Sequence, residues 1–297
     1  MTYFITSHAD NTTLMTYFIK SHADDYTLTT SDVSIEEIIE KLCRVAEIIV
    51  GWMKSNMLKL NPTKTHIMTV GTEQKLRIFQ ERLEVNMDGV VLKEDPDHCE
   101  VLLGCHIKSN LKWSKHFDSL MLRLKKRIAG LTKLKYIVPF NVRKVLAEGL
   151  FNSVMIYCLP VFGGTEKGNI RQLQVLQNKV LQIVCHAPPR ANRVSLLNKL
   201  GWLSVHQIIA YHTLLAIFKM KRVGEPEYLA GLLNRESRNG RIFLPNFQIE
   251  VAQRSFVYRG ASLWNSLPFS VRKLSKIGHF KRSTREWISA NVPRFMD

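Results

Sequence analysis

The chain contains a pair of adjacent aspartates, Asp24 and Asp25, that follows an apolar segment rich in strand-forming residues. At the turn of a strand–turn–strand, neighbouring carboxylates can hold a hard divalent cation such as Mg²⁺. They would supply one wall of a two-metal site for phosphoryl transfer. Aspartates are also common in polar β-turns that bind no metal. The remaining walls of such a site must come from elements elsewhere in the chain.

The aspartate pair lies in the second copy of a repeat at the start of the sequence. Met1–Leu14 reads MTYFITSHADNTTL, and Met15–Leu28 reads MTYFIKSHADDYTL. Alternation and turn residues predict an antiparallel meander with strands at 2–7, 12–20 and 26–30. Successive turns of a meander lie at opposite ends of the sheet, roughly 30 Å apart for this middle strand. We therefore expect that Asp10 of the first copy cannot share a metal ion with Asp24.

A helix is predicted after the repeat. Ser34 and Glu37 have the spacing of a capping box, which marks its start. Apolar residues then recur at helical spacing as far as Met53, as in an amphipathic helix. Pro62 is expected to end any helix there.

Three short β segments are predicted downstream. Residues 66–70 alternate between apolar and polar side chains, as in a half-buried strand. Asp88-Gly89 is a turn signal within residues 85–95, which predicts a hairpin. Residues 101–107 have the pattern of a strand that Gly104 interrupts.

From about residue 114 the apolar pattern becomes helical, and the whole chain is expected to be α+β. The last helical element is expected from 256 to 288, after a polar, basic loop at 235–248. Prolines and a glycine delimit the earlier helices. These helices are predicted at residues 117–134, 142–157, 170–184 and 205–223.

The net charge of +17 is unevenly distributed along the 297 residues. Residues 1–100 hold ten Lys/Arg and sixteen Asp/Glu, whereas residues 101–297 hold thirty-two Lys/Arg and nine Asp/Glu. This excess favours a polyanionic partner, nucleic acid first, because neutralised phosphates release counterions. The alternative is that clusters such as 125–127, 219–222 and 281–282 are only solvated helix faces. Trp113, Trp202 and Trp264 are expected to be core or turn anchors rather than stacking platforms for bases.

Several other classes of protein are disfavoured. No run of apolar residues is long enough to span a membrane, and the N-terminus lacks the pattern of a signal peptide. Five dispersed cysteines indicate reduced thiols in an intracellular protein. The pairs His98-Cys99 and Cys105-His106 have an unusual spacing for structural zinc. No Walker loop or Rossmann glycine pattern occurs, so no small-molecule cofactor is expected.

The order of several short motifs is more specific than any one of them. Ala23-Asp24-Asp25 is followed by a helix ending at Trp52, by LKLNPTKT at residues 58–65, and by Leu103-Gly104-Cys105 and Leu111-Lys112-Trp113. This ordered set resembles the reverse transcriptases of non-LTR (LINE-type) retrotransposons, jockey-like elements in particular. The resemblance extends through the basic helices to YRGASLWNSLP at residues 258–268 and covers nearly the whole chain.

The resemblance implies a role for each matching residue in RNA-directed DNA synthesis, a nucleotidyltransferase reaction. Asp24 would bind Mg²⁺, Asp25 would support it, and Lys64 would lie near the leaving pyrophosphate as a proton donor. The hairpin that grips the primer end is matched by Leu103, Gly104, Lys112 and Trp113. The thumb that tracks the template–primer backbone is matched by a basic helix containing Lys125, Lys126, Arg127, Lys133 and Lys135.

The same resemblance implies an architecture and partners. It divides the chain into a truncated palm of β-hairpins and one helix at 1–113, a mostly α-helical thumb at 114–234, and a basic loop with a C-terminal extension at 235–297. The expected partners are an RNA template and a DNA primer, with dNTP in intact relatives and no membrane. The expected cofactor is Mg²⁺, and the family acts in the nucleus.

The chain departs from the family pattern around the aspartates. His22 replaces the aromatic residue that usually precedes Ala-Asp-Asp. The family's other metal-binding aspartate lies on an upstream palm strand, whereas the repeat is what precedes Asp24 here. We therefore predict that this chain alone does not polymerise DNA. The alternative is a non-catalytic, basic helical module that binds nucleic acid, or a decayed transposon remnant.

Overall fold

The computed structural model describes residues 2–7, 18–22, 25–30, 34–59, 61–79, 84–95, 97–244 and 250–293. The chain forms two compact units, residues 1–116 and 117–297. The strands lie in the first unit and most helices in the second, so the predicted α+β class is confirmed. The finer division at residues 113 and 234, into palm, thumb and extension, stays a prediction.

A four-stranded sheet lies in the first unit. Its strands are β1 Thr2–Ser7, β2 Phe18–His22, β3 Asp25–Thr30 and β4 Thr65–Val70. They are ordered β2-β3-β1-β4, with β1 parallel to both of its neighbours. β2 and β3 pair antiparallel as far as His22 and Asp25, so the predicted antiparallel pairing of these two strands is confirmed. Of the predicted strand at 12–20, residues 12–17 lie outside the described residues.

The predicted meander is wrong, because β1 does not pair with β2. Thr2 of β1 pairs instead with Tyr26 of β3 and with Thr65 of β4. The chain crosses from β3 to β4 through helix α1, Ile35–Ser55, and the two strands are not neighbours in the sheet. β1 lies between them and hydrogen-bonds along both edges. In a meander β1 would leave one edge of unpaired backbone groups.

Helix α1 packs its apolar face against the sheet, as its spacing predicts. Leu42, Val45 and Ile49 are buried in one core cluster with side chains of β3 and β4. Burying a side chain of this kind contributes about 1.5–3 kcal/mol. The predicted capping box is wrong, although Ser34 is the N-cap residue. The Ser34 hydroxyl donates to Glu36 Oε2 and accepts no backbone N–H.

Two hairpins follow β4 and helix α2, Glu73–Phe79. Their strands are β5 Glu84–Met87 with β6 Val90–Lys93, and β7 Cys99–Leu102 with β8 Cys105–Lys108. The first is the predicted hairpin, and its turn residues Asp88 and Gly89 have φ of +53° and +81°. The second replaces the single interrupted strand expected at 101–107. Leu103 and Gly104 have φ of +47° and +77° there, which suits a two-residue turn of type I′.

Helices form the remainder of the chain. The four helices predicted between residues 117 and 223 are confirmed. The second of them consists of α4 and α5 joined by a π-helical turn at Glu148–Asn152. The prediction of one continuous helical element at 256–288 is wrong. It is broken into α12, α13 and α14 because Pro268 lacks an N–H and its neighbour Leu267 is extended. The bounds are α3 Ser114–Leu134, α4 Phe140–Ala147, α5 Ser153–Ile156, α6 Leu159–Phe162, α7 Lys167–Cys185, α8 Arg193–Leu200, α9 Val205–Val223, α10 Glu227–Leu233, α11 Glu250–Gln253, α12 Phe256–Ser266, α13 Phe269–Arg272 and α14 Ile277–Asn291.

Helix α9 packs against α12 and α14 in the core of the second unit. Gly260 permits a close approach of α12, since a Cβ there would lie 2.5 Å from Ile217 Cδ1 of α9. The Phe280 ring of α14 stacks on Phe218 of α9, with centroids 4.2 Å apart. In the described ranges no single helix has the length and hydropathy to cross a bilayer, although α8 and α9, bent by 42°, meet both criteria as a pair.

The YRGASLWNSLP stretch ties the irregular segment before it to this core. Trp264 is buried, and its Nε1 donates to Gly240 O over 3.1 Å. Asn265 Oδ1 accepts from Ile242 N, and Asn265 Nδ2 donates to Ile242 O, each over 2.8 Å. Arg259 donates to Pro160 O, and burial lowers the pKa of its guanidinium to about 10. The predicted core role of Trp264 is therefore confirmed.

Candidate nucleic-acid interface

Two of the predicted catalytic residues lie at the same end of the four-stranded sheet. Asp25 begins β3, and Lys64 immediately precedes β4. The residues that follow them pair with the same residue of β1, Thr2. Their backbones are therefore two strand spacings apart, about 10 Å. Asp24 and Asp10 lie outside the described residues.

The strand between Asp25 and Lys64 brings no carboxylate to this end of the sheet, since β1 has the sequence TYFITS. Lys64 is exposed at the end of the 3₁₀ turn Pro62–Lys64. Asn61 fixes this turn, because its Oδ1 accepts from Thr63 N over 3.1 Å. Within the described ranges, no group of three or more His, Cys, Asp or Glu side chains could hold a metal ion.

The residues predicted to grip a primer lie in and after the β7–β8 hairpin. Leu103 and Gly104 form its tip, where the Leu103 side chain is about half exposed (48%). Lys112 Nζ lies 2.7 Å from Glu73 Oε1, and this contact holds the pKa of the Glu73 carboxyl below its usual value. Trp113 is half-buried and meets the His116 ring edge-on at 6.2 Å. Much of the charge of Lys112 is thus already opposed by a carboxylate.

Helix α3 presents most of the cations predicted to bind nucleic acid. Lys125, Lys126 and Lys133 are exposed on it, and Arg127 is half-buried. Lys135, just beyond the helix, lies 5.0 Å over the Tyr136 ring. Within the described part of the chain, none of these five cations has an ion-pair partner. The helix itself contains one acidic residue, Asp118.

The buried leucines and the exposed lysines of α3 lie on opposite faces, and the exposed Leu122 shares the lysine face. Leu120, Leu124 and Leu131 are buried at helical spacing and define the inner face. Lys126 and Lys133 are separated by two helical turns and project from the opposite face, about 10 Å apart along the axis. At about 1.5 Å per residue, the whole helix extends roughly 31 Å. The exposed lysines therefore form a cationic strip that extends roughly 12 Å along the helix.

The segment after α3 is held by Arg143, which the sequence analysis did not single out. Arg143 is buried and donates to the carbonyl oxygens of Lys135, Val138 and Val184, over 3.0, 2.6 and 3.1 Å. A buried guanidinium stays charged and needs several acceptors, which these carbonyls provide. Not every cation of the basic region is therefore available to a ligand. Composition could not distinguish Arg143 from its exposed neighbours.

The cluster at 219–222 is divided in the same way. Lys219 is exposed, whereas Lys221 is mostly buried, with its Nζ 5.5 Å from the Trp264 ring centroid and in contact with the carboxylate of Glu236. Burial lowers the pKa of the Lys221 ammonium to about 8. The interpretation of this cluster as a solvated face is wrong for Lys221, because its side chain is mostly buried beside Trp264 and Glu236. Lys281 and Arg282, on α14, are exposed.

Part of the chain is similar to a curated protein. A stretch of 168 residues is 24% identical to "Probable RNA-directed DNA polymerase from transposon BS" of Drosophila melanogaster. The match covers 56% of this chain and 18% of that protein, so the chain corresponds to less than a fifth of its length. No family model matches the sequence, and no solved structure matches the chain. The similarity supports a reverse-transcriptase-like origin for this region of the chain.

Proposed function

We propose that this chain is the C-terminal part of a non-LTR reverse transcriptase and that it binds a template–primer duplex through α3. The observation that carries the proposal is the cationic strip of α3, which faces away from its buried residues and lacks carboxylate partners among the described residues. The similarity to a transposon RNA-directed DNA polymerase favours nucleic acid as the polyanion that this strip binds.

The length of the strip suits a nucleic-acid backbone. Double-stranded DNA carries one phosphate charge per about 1.7 Å of axis, so a strip of roughly 12 Å faces several phosphates. Lysines on long side chains neutralise such charges without reading the bases, which makes binding sequence-tolerant. RNA–DNA, RNA and DNA duplexes are therefore all expected to bind, and the affinity is expected to fall steeply with salt.

The proposal also holds that this chain alone does not polymerise DNA. Two Mg²⁺ ions in a phosphoryl-transfer site carry four positive charges, and Asp24 with Asp25 would neutralise two of them. The strand beside β3 is β1, which contributes no further acid. The donors present therefore do not fit a complete two-metal site, and we derive no reaction step through the metal.

Duplex binding is tested by removing three cations from α3. The variant Lys125→Gln/Lys126→Gln/Lys133→Gln keeps helix-forming residues, and its affinity is measured by fluorescence anisotropy between 50 and 300 mM salt. If all three lysines contact phosphates, the slope of log K against log salt falls by up to about 2.7. The matched control removes three exposed cations of α7, Lys167, Arg171 and Lys179. Equal losses in the two variants would refute a specific role for α3.

Catalysis is tested separately by primer extension with the purified chain and Mg²⁺ or Mn²⁺. We expect no templated synthesis. Synthesis that is abolished by Asp24→Ala would show that the aspartate hairpin is active without a further acidic strand, and this part of the proposal would fail. The binding result does not depend on that outcome.

A further inference from the structure

Two large apolar side chains are exposed just beyond the cationic strip of α3, and we call them the Tyr136–Ile137 tip. Tyr136 is 80% exposed and Ile137 is 74% exposed, in the turn that follows the helix. Among the large apolar side chains of the described residues, only that of Met57 is more exposed. Single exposed apolar residues are normal on a protein surface, whereas an adjacent pair at this exposure indicates a contact with a partner.

The tip continues the lysine face of α3. Ile137 N donates to Leu134 O over 3.1 Å, and Val138 N donates to the same oxygen over 3.2 Å. The backbone therefore keeps a helical turn beyond the last residue of α3. Lys133 and Ile137 are four residues apart, so they are neighbours on one face of this turn. At about 1.5 Å per residue, the tip lies roughly 5 Å beyond the last exposed lysine of the strip.

The turn that carries the tip is fixed on both sides. The guanidinium of Arg143 donates to Lys135 O and to Val138 O, the carbonyl oxygens that flank the tip. His186 Nε2 donates to Lys135 O over 2.5 Å, and the ring of His186 makes a T-shaped contact with Tyr136 at a centroid distance of 5.2 Å. A side chain on a fixed backbone loses little conformational freedom when it binds a partner, so the tip is preorganised.

The segments that form and contact the tip contain cations and no acids. Residues 119–147, with α4 and most of α3, hold eight Lys/Arg and no Asp/Glu. Residues 167–224, with α7, α8 and α9, hold nine Lys/Arg and no Asp/Glu. Lys199 of α8 lies 5.5 Å from the ring centroid of Phe140, which begins α4 directly after the turn. Such an excess of positive charge attracts phosphates, so the partner of the tip combines phosphates with an apolar surface.

We propose that the Tyr136–Ile137 tip stacks on an unpaired base at the point where a duplex ends and a single strand begins. This inference rests on the proposed function, because the lysines of α3 hold the duplex that ends beside the tip. An exposed aromatic ring stacks on any base, since every base has a flat π face. Ile137 adds apolar contact beside the ring. Lys135, whose Nζ lies 5.0 Å from the ring centroid of Tyr136, supplies a cation for the phosphate of the stacked nucleotide.

Two other partners fit the tip less well. Insertion into the interior of a duplex would unstack paired bases, which costs free energy that an already unpaired base does not require. A bilayer surface would accept an apolar tip among cations. Two side chains, however, bury far less apolar surface than the amphipathic helices that lie on membranes. An unpaired base beside a duplex is therefore the partner that the charge and the exposed ring favour.

The first test uses the unaltered chain and varies the ligand. A DNA duplex with a single-stranded overhang is compared with the same molecule carrying abasic nucleotides in the overhang, so the phosphates are identical and only the bases differ. Overhangs of both polarities are measured by fluorescence anisotropy at one salt concentration. We expect the overhang with bases to bind at least about fivefold more tightly in one polarity or in both. Equal affinities in both polarities would overturn the proposal.

The second test varies the tip. Tyr136→Ala/Ile137→Ala should remove the preference for bases over abasic nucleotides and leave the affinity for the abasic ligand unchanged. Tyr136→Phe keeps an aromatic ring and should keep the preference. The matched control is Leu122→Ala, since Leu122 is exposed on the same face of α3 but lies about 21 Å before Tyr136 along the helix. A preference that survives in the double variant, or that Leu122→Ala removes equally, would contradict stacking at the tip.

The tip and the cationic strip fail in different ways. Lys125→Gln/Lys126→Gln/Lys133→Gln should weaken every duplex by the same factor and keep the preference for bases, whereas the tip variant should do the reverse. If ordinary and abasic overhangs bind alike while the lysine variant weakens both, the stacking contact fails and the proposed function stands. If the lysine variant binds duplex as tightly as the unaltered chain and the preference for bases remains, the cationic strip fails and the stacking contact stands. Binding to anionic lipid vesicles that the tip variant abolishes, without any preference for bases, would assign the tip to a membrane and overturn the inference.

Discussion

The Asn265→Ala variant tests whether the YRGASLWNSLP stretch is structural or binds a ligand. In the structure, the Asn265 carboxamide pairs with both backbone groups of Ile242, each over 2.8 Å. Ile242 is buried and belongs to the same core cluster as Trp264. The carboxamide satisfies the backbone N–H and C=O of Ile242, as a neighbouring strand would. It thereby holds the irregular segment before α11 against α12. Alanine removes both hydrogen bonds and little apolar packing.

The expected cost follows from the two groups left behind. A buried backbone N–H or C=O without a partner costs about 1–3 kcal/mol. Because Asn265 is only half-buried, water reaches part of the vacated space, and we expect about 2–3 kcal/mol for both groups together. In a domain of this size each kcal/mol lowers the melting temperature by about 2–4 °C, so Tm should fall by roughly 5–10 °C.

The assay is thermal and urea unfolding followed by helical circular dichroism, with duplex affinity measured at 20 °C on the folded variant. The control is Asn291→Ala, since Asn291 also makes a side-chain hydrogen bond but is exposed on α14, and its loss should stay within about 0.5 kcal/mol. A stability loss as small as that of the control would refute the reasoning. A large loss of affinity at unchanged stability would assign the stretch to the ligand instead.

Three further results are expected. Gly164→Ala should destabilise the chain by at least about 1–3 kcal/mol in urea unfolding, because its Cβ would lie 2.2 Å from Arg254 O, whereas Gly168→Ala has open space and should stabilise by about 0.5–1 kcal/mol. Lowering the pH from 6.5 to 5.5 should lower the melting temperature of the wild type more than that of His212→Gln. The buried imidazole has a lowered pKa in the folded state, so the unfolded chain takes up the proton first. Equal falls in melting temperature would contradict this. Deleting residues 1–14 removes β1 and should abolish hydrogen-exchange protection at 65–70 while leaving α9 protected; retained protection at 65–70 would count against the central position of β1.

Helices were predictable where both ends carried local signals. The helix predicted at 205–223 is α9, which has those same bounds, with Gly224 in the left-handed region after it. A capping box operates there between Ser204 and Gln207, although the sequence pattern had pointed to Ser34 for that arrangement. At Ser34 the nearby Glu36 carboxylate accepts the hydrogen bond from the hydroxyl instead. Spacing identifies a candidate cap, but competing acceptors decide which hydrogen bond forms.

Contacts between distant segments were not predictable from local pattern. The TYFITS segment is equally suited to the edge of a meander and to a central parallel strand. The crossover through α1 leaves a gap between β3 and β4, and β1 pairs with both strands in that gap. Lys221 and Arg143 have the same residue types as exposed cations nearby, yet α9 and α4 turn them inward. A cleft in the second unit is lined by Lys144, Trp202 and Arg285, which lie more than a hundred positions apart at the extremes, so no spacing along the chain could indicate it.

The sheet also shows why strand pairing in this chain indicates little about polymerase activity. Backbone hydrogen bonds hold β1 between β3 and β4, and they form equally well whether or not the strand carries an acid. Folding therefore selects for strand propensity at this position, whereas catalysis requires a carboxylate within a few ångströms of the aspartate pair. Strand β1 meets the first requirement and, with the sequence TYFITS, carries no acid for the second. The proposed duplex binding depends on neither, because the cations of α3 lie on a helix outside the sheet. Loss of catalysis with retained binding is thus the outcome that the distribution of acids and bases in this chain predicts.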